Sequence, residues 1–149
     1  AEIKLDNLSQ TLKESFDLFS NSHPKINMKL LSKTKDIYFQ FDRFQISQAF
    51  NNMIKNAVEA VINIPNPSIS VDLFEYNNQI KFIVKDNGIG IDENKISKYF
   101  EPYFTTKDKG AGLGLSIVKK IVEDHGGIIK IEKNKNMTGT TALIVFDIQ

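Results

Sequence analysis

Apolar residues at Leu5, Leu8, Leu12, Phe16 and Phe19 recur at steps of three and four, which predicts an amphipathic helix over about 5–20. Pro24 bars its continuation. "KINMKLL" alternates Ile26, Met28 and Leu30, and "IYFQF" is a short apolar run, so strands are expected near 26–32 and 37–41. Asp42 stands where a helix N-cap belongs, and Phe50, Ile54, Ala57 and Val61 share one face of a long helix that "IPNP" ends near residue 63. "SISVDLFEY" and "QIKFIVKD" flank Asn77-Asn78, a pair that tolerates positive φ, and read as an antiparallel hairpin. From Gly88 to about Gly112 the pattern fails, apart from a short helix expected around 93–99. It resumes in "LGLSIVKKIVEDH", with Leu115, Val118 and Val122 inside and Gly126-Gly127 as a stop. "IIKIEK" alternates, whereas "TTALIVFDI" is apolar on both faces and is expected inside a sheet. Antiparallel strand pairs separated by helices predict an α+β, two-layer sandwich: a mixed, mostly antiparallel sheet covered by helices on one face.

The 149 residues suffice for one core, and a 41% apolar, 25% charged composition is that of a globular domain. A formal charge of +1 gives no general pull toward nucleic acid or a membrane surface. Without cysteine the chain can form neither a disulfide nor a thiolate metal site. No apolar run approaches the roughly 20 residues of a membrane span. Arg43 is the sole arginine among 19 basic residues, so charge offered to a phosphate must come mainly from lysine.

Three stretches could carry chemistry. In "NNMIKNAVEA", Asn52 and Asn56 are four apart and lie on one helix face. Their oxygens suit a hydrated Mg²⁺, though surface asparagines would look the same. Asp86 closes a strand in "KDNGIG", where its carboxylate can accept a hydrogen bond from an exocyclic amino group that adenine has and guanine lacks. Gly88 and Gly90 would let backbone approach a flat ring, although an Asp-Asn-Gly turn explains the same letters. "KGAGLGLS" places Gly110, Gly112 and Gly114 before a helix whose N-terminal N–H groups attract anions, or else forms a flexible hinge. It is neither a Walker loop nor a Rossmann fingerprint, since no Gly-Lys-Ser/Thr follows and Leu115 stands where the third glycine belongs. Phe100, Tyr103 and Phe104 could anchor a movable segment, and Lys107 could reach a phosphate. His23 and His125 have no carboxylate or second histidine nearby in sequence; His125 sits at a helix end whose dipole favours an imidazolium, and neither reads as catalytic.

Taken in order, the asparagine pair, the Asp-x-Gly-x-Gly, "FEPYFTTK", the Gly-x-Gly-Leu-Gly-Leu helix start and the late Gly139-Thr140 resemble the ATP-binding catalytic domain of sensor histidine kinases. That family shares its Bergerat-type fold with gyrase, the Hsp90 chaperones and MutL. The resemblance runs from about residue 4 to 147. "NAVEA" and "GAGLGLSIVKKIVEDHGG" are most similar to the nitrogen-regulation NtrB and NtrY group. It implies a single ATP-binding domain over 1–149 using ATP and Mg²⁺. Asn56 would be the metal ligand with Asn52 beside it, and Asp86 the adenine-reading carboxylate supported by Thr140, with Gly88 and Gly90 next to the base. Gly110, Gly112, Leu113 and Gly114 would form the phosphate side, Lys107 a phosphate contact, and 88–113 a lid.

The resemblance further implies transfer of the γ-phosphate to a histidine on a separate dimerisation domain, expected N-terminal to this chain, and onward signalling to a response regulator receiver domain. No catalytic nucleophile is assigned within the chain. A cytoplasmic domain without nucleic-acid or direct membrane contact is implied, with inner-membrane anchoring of the full-length protein left open. Glu59 stands where some sensor kinases have a basic residue, so Lys55 or Lys107 would have to substitute. Asn52 occupies the position of the water-activating glutamate of ATP-hydrolysing relatives, and a carboxamide cannot be that base, so slow hydrolysis is expected. The alternatives are a non-catalytic or regulatory nucleotide-binding module, a slow ATPase or serine kinase of the same fold, and a packing domain with chance motifs.

Overall fold

A computed structural model describes residues 1–31, 35–102 and 114–148. Its elements are β1 (Lys4–Asn7), α1 (Leu8–Ser22), β2 (Asn27–Leu30), β3 (Tyr38–Phe41), α2 (Arg43–Val61), β4 (Ser68–Tyr76), β5 (Gln79–Asp86), a 3-10 helix (Glu93–Phe100), α3 (Gly114–Asp124), β6 (Gly127–Lys133) and β7 (Thr140–Asp147). Five strands form a sheet in the order β2-β4-β5-β7-β6, with β2 parallel to β4 and the other pairs antiparallel. β1 and β3 form a separate antiparallel pair.

Alternation along the strands decides which face is buried. Ile69, Val71 and Leu73 of β4, Ile80, Phe82 and Val84 of β5, and Ile144 and Phe146 of β7 point to the helix side and join one core with Phe50, Ile54 and Val61 of α2 and Val118 and Val122 of α3. Phe50 stacks obliquely on Phe82 with ring centroids 4.5 Å apart, which pins α2 over the sheet centre. Phe39 meets Phe146 at 5.1 Å and ties the small β1-β3 sheet to the large one. The β4-β5 turn is made by Asn77 and Asn78 at φ 52° and 60°, and β7 lies between β5 and β6, as the sequence pattern leads one to expect.

Two expectations need correction. The first helix begins at Leu8, because the Asn7 side chain accepts the Gln10 N–H and caps it there; Leu5 belongs to β1 and is 64% exposed. The strands near 26–32 and 37–41 do not pair with each other. β3 takes β1 as its partner and β2 runs parallel to β4.

The start of α2 is the junction of the N-terminal half. Asp42 accepts the Gln45 N–H at 3.0 Å as N-cap and the Glu2 N–H at 2.7 Å, and its own N–H donates to Nε2 of His125 at 3.0 Å. A backbone N–H can only donate, so Nε2 accepts and Nδ1 carries the proton given to the Ile121 carbonyl at 2.7 Å. Arg43 is held by Asp6 at 2.9 Å and Glu14 at 2.6 Å, joining β1 and α1 to α2.

The Asp42 carboxyl is lowered from its ordinary value, first by the Glu2 N–H and then by the Gln45 N–H. A lowered folded value means that its stabilisation is fully present above the unfolded carboxylate range and is lost as pH falls through the lowered value. Urea unfolding of the wild type and Asp42→Asn at a series of pH values should show a gap in midpoint that is widest near neutrality and closes at the acid end.

Candidate functional site

Asn52, Asn56 and Ala60 follow one another at intervals of four and form one stripe along α2. Two glycines meet that stripe. A side chain at Gly114, the first residue of α3, would begin 3.8 Å from Asn56 Oδ1, so the Asn56 carboxamide faces the start of a helix. Gly88 lies directly against Ala60, where a Cβ would run into the Ala60 carbonyl. Packing of the loop on α2 therefore requires a glycine at 88, whatever else approaches it. Gly90 has φ +84°, which favours glycine on conformational grounds.

Asp86 ends β5 on the helix-facing side and is 6% exposed. Its Oδ1 accepts the Gly88 N–H at 2.9 Å and the Thr140 N–H at 3.3 Å. The β5-β7 register, which pairs Lys85 with Thr141, brings Thr140 to this point. Burial raises the Asp86 carboxyl above its ordinary value, and the two N–H donors oppose that rise without cancelling it. A buried carboxylate aimed by two backbone donors is an acceptor of fixed direction, suited to reading a single donor on a flat ring.

The structure thus brings Asp86, Gly88 and Thr140 into contact, and places Asn56 beside Gly114. Lys107, Gly110, Gly112 and Leu113, with Tyr103 and Phe104, lie outside the described residues. The stretch 88–113 is described only as far as residue 102. Within it Asp92 caps the 3-10 helix by accepting the Asn94 N–H at 3.0 Å, and Lys119 Nζ stands 5.8 Å from the Phe100 ring centre. A cavity of about 350 Å³ lined by Ile64, Pro65, Asn87, Gly88, Ile89 and Thr138 adjoins the Asp86 loop. A larger groove of about 1170 Å³ runs between α1 and β2 and contains none of these residues.

Sequence reasoning missed Asn134. It is 7% exposed and donates from Nδ2 to the Asp86 carbonyl at 2.7 Å. In "EKNKNMTGT" nothing separates it from Asn136, which is exposed.

Residues 41–149 match the family model described as histidine kinase-, DNA gyrase B-, and HSP90-like ATPase. The chain is 40% identical over 97 residues to the nitrogen regulation protein NtrY of Azorhizobium caulinodans, a match covering 62% of this chain and 13% of that protein. Among solved structures, the nucleotide-free catalytic domain of histidine kinase ThkA superposes with a TM-score of 0.88 at 32% identity, covering 99% of this chain and 96% of that one. ThkA in complex with the response regulator protein TrrA gives a TM-score of 0.83 at 30% identity, covering 99% of this chain and 42% of that one. The chain spans 21% and 18% of the length of two further curated relatives. The family match extends from the last residue of β3 to the end of the chain and takes in every candidate site residue above, so the protein belongs to the histidine kinase-, DNA gyrase B- and HSP90-like ATPases, on the histidine kinase side of that family.

Proposed function

We propose that residues 1–149 form one catalytic domain that binds Mg-ATP and delivers its γ-phosphate to a histidine on a helical dimerisation domain lying N-terminal to it. The observation that carries the reading is Asp86: a buried carboxylate, oriented by the Gly88 and Thr140 N–H groups, at the mouth of a glycine loop. It accepts a hydrogen bond from the adenine 6-amino group, where guanine would present O6 and repel it. The phosphates run toward the start of α3, where the helix dipole favours negative charge.

A Mg²⁺ fits the donor set. Carboxamide oxygen is a hard ligand, and Asn56 stands beside the helix start where phosphates would lie. Among the described residues no group of three or more His, Cys, Asp or Glu could hold a metal, so the ion would rely on Asn56, water and phosphate oxygens. When bound, the ion neutralises charge on the transferring phosphoryl group. Lys107 is assigned here as a phosphate contact and 88–113 as the lid segment, roles that the resemblance implies.

The domain contributes position and electrostatics, and the nucleophile comes from outside it. A ring nitrogen of the partner histidine forms the new P–N bond as the bond between the β-γ bridging oxygen and the γ-phosphorus breaks and ADP leaves. Asn52 cannot take a proton from water, so hydrolysis by the domain alone is slow. Onward transfer to a response regulator fits the partnership that ThkA makes with TrrA. Among the described residues no helix is long and apolar enough to cross a membrane.

Calorimetric titration with Mg-ATP and Mg-GTP tests the reading. Saturable binding of ATP with little for GTP is expected, and equal binding of both would overturn the role given to Asp86.

A further inference from the structure

The loop 134–139 between β6 and β7 does more than reverse the chain. Asn134 Nδ2 donates both to the Asp86 carbonyl at 2.7 Å and to the Thr138 carbonyl at 3.0 Å. Its Oδ1 accepts the Thr141 hydroxyl at 2.6 Å, and its backbone N–H donates to the Gly139 carbonyl at 3.0 Å. The orientation of this carboxamide is fixed by chemistry, because a flipped amide would set Oδ1 against two carbonyl oxygens. Two further contacts fall on the same turn: the Thr138 hydroxyl donates to the Asn87 carbonyl at 3.3 Å, and the Thr140 N–H reaches Asp86 Oδ1 at 3.3 Å. Gly139, at φ +108°, sits so close to the Asp86 carbonyl that no side chain fits between them.

The β5-β7 ladder ends at the pair Lys85 and Thr141. Asp86 is therefore one residue past it, and its carbonyl would lack a donor if a buried side chain did not supply one. Asn134 takes over where the ladder stops. The peptide oxygen of Asp86 is gripped by one end of the loop, and its carboxylate is held by the Thr140 N–H at the other end together with the Gly88 N–H.

We propose that Asn134 is a positioning residue that sets the purine selectivity of the site: by holding the Asp86 peptide it fixes the direction in which the carboxylate meets an exocyclic 6-amino group. The ligand class it selects is the 6-aminopurine nucleotides. This rests on the reading of Asp86 as the base-recognising group.

The test is equilibrium binding of Mg-ATP and of the Mg salt of purine riboside triphosphate, which lacks the 6-amino group, to the wild type, Asn134→Ala and Thr141→Val. The ratio of the two affinities is the readout, since partial loss of folded protein lowers both equally. The wild type should prefer ATP by at least about tenfold, the range of a hydrogen bond to a charged group. Asn134→Ala should bring the ratio close to one while purine riboside triphosphate binds within about threefold of wild type. Thr141→Val keeps the strand intact and frees only the carboxamide oxygen, so it should lower the ratio by a smaller factor; if Asn134→Ala does not fold, this variant decides. A wild type that prefers ATP, with variants that keep the full ratio, overturns the role of Asn134 alone. A wild type that does not distinguish the two nucleotides overturns the reading of Asp86 and this inference with it.

Discussion

Gly139→Val should destabilise the domain by about 3 to 5 kcal/mol, a large share of the 5 to 15 kcal/mol typical of a folded domain. Two penalties combine. The backbone at φ +108° lies in the region that favours glycine, and a β-branched residue there costs about 1 to 3 kcal/mol. A Cβ at this position also collides with the Asp86 carbonyl and lies 2.9 Å from Asn134 Nδ2, so β5 or the hairpin must move. Gly126 separates the two effects. Its φ is +75°, but nothing lies within 4 Å of where a Cβ would be. Gly126→Val should therefore show the conformational penalty alone, and urea unfolding followed by circular dichroism should place it well above Gly139→Val in midpoint. Equal losses would show that the contact with Asp86 is unimportant.

Asp86→Asn should lower ATP affinity by about a hundredfold or more, because an anionic acceptor is lost and an amide N–H is turned toward the base amino group. The same substitution should leave the fold at least as stable at neutral pH. Burial raises the Asp86 carboxyl, so the folded state holds its proton more tightly than the unfolded one. That contribution is fully present below the unfolded carboxylate value and is lost as pH rises through the raised folded value. At neutral pH the ionised, buried carboxylate thus costs stability, and a neutral isostere relieves the cost. Loss of binding together with an unchanged or higher urea midpoint is the signature of a group kept for recognition. A midpoint that falls along with affinity would mean instead that Asp86 is there to hold the turn.

The parts of this architecture legible in the sequence are those governed by near neighbours. The Asp42 cap, the face of α2 that carries Phe50, Ile54 and Ala57, and the Asn77-Asn78 turn follow from interactions within a few residues, and the structure shows each of them. The four-residue strands β1 and β3 are too short to show a period, and Leu5 fits helical spacing well enough to be absorbed into α1. The parallel pairing of β2 with β4 joins segments about forty residues apart, which local pattern does not encode. The candidate site divides the same way. Asp86 stands out as a carboxylate at the end of a strand, and the Asn52 and Asn56 pair by its spacing. That Gly88 is a glycine because of Ala60, that His125 must accept from Asp42, and that Asn134 grips Asp86 all depend on contacts between residues 28 to 83 apart in the chain.

In the proposed function this domain supplies a phosphoryl group and a partner supplies the nucleophile. The most direct measurement mixes the domain, γ-labelled ATP and Mg²⁺ with a histidine-bearing dimerisation domain already shown to be phosphorylated by its own full-length kinase. Acid-labile, alkali-stable label is expected on the partner, absent when its histidine is replaced, with little free phosphate from the domain by itself. No label on a competent partner, together with steady phosphate release by the isolated domain, would contradict it and make the protein an ATPase of the same fold.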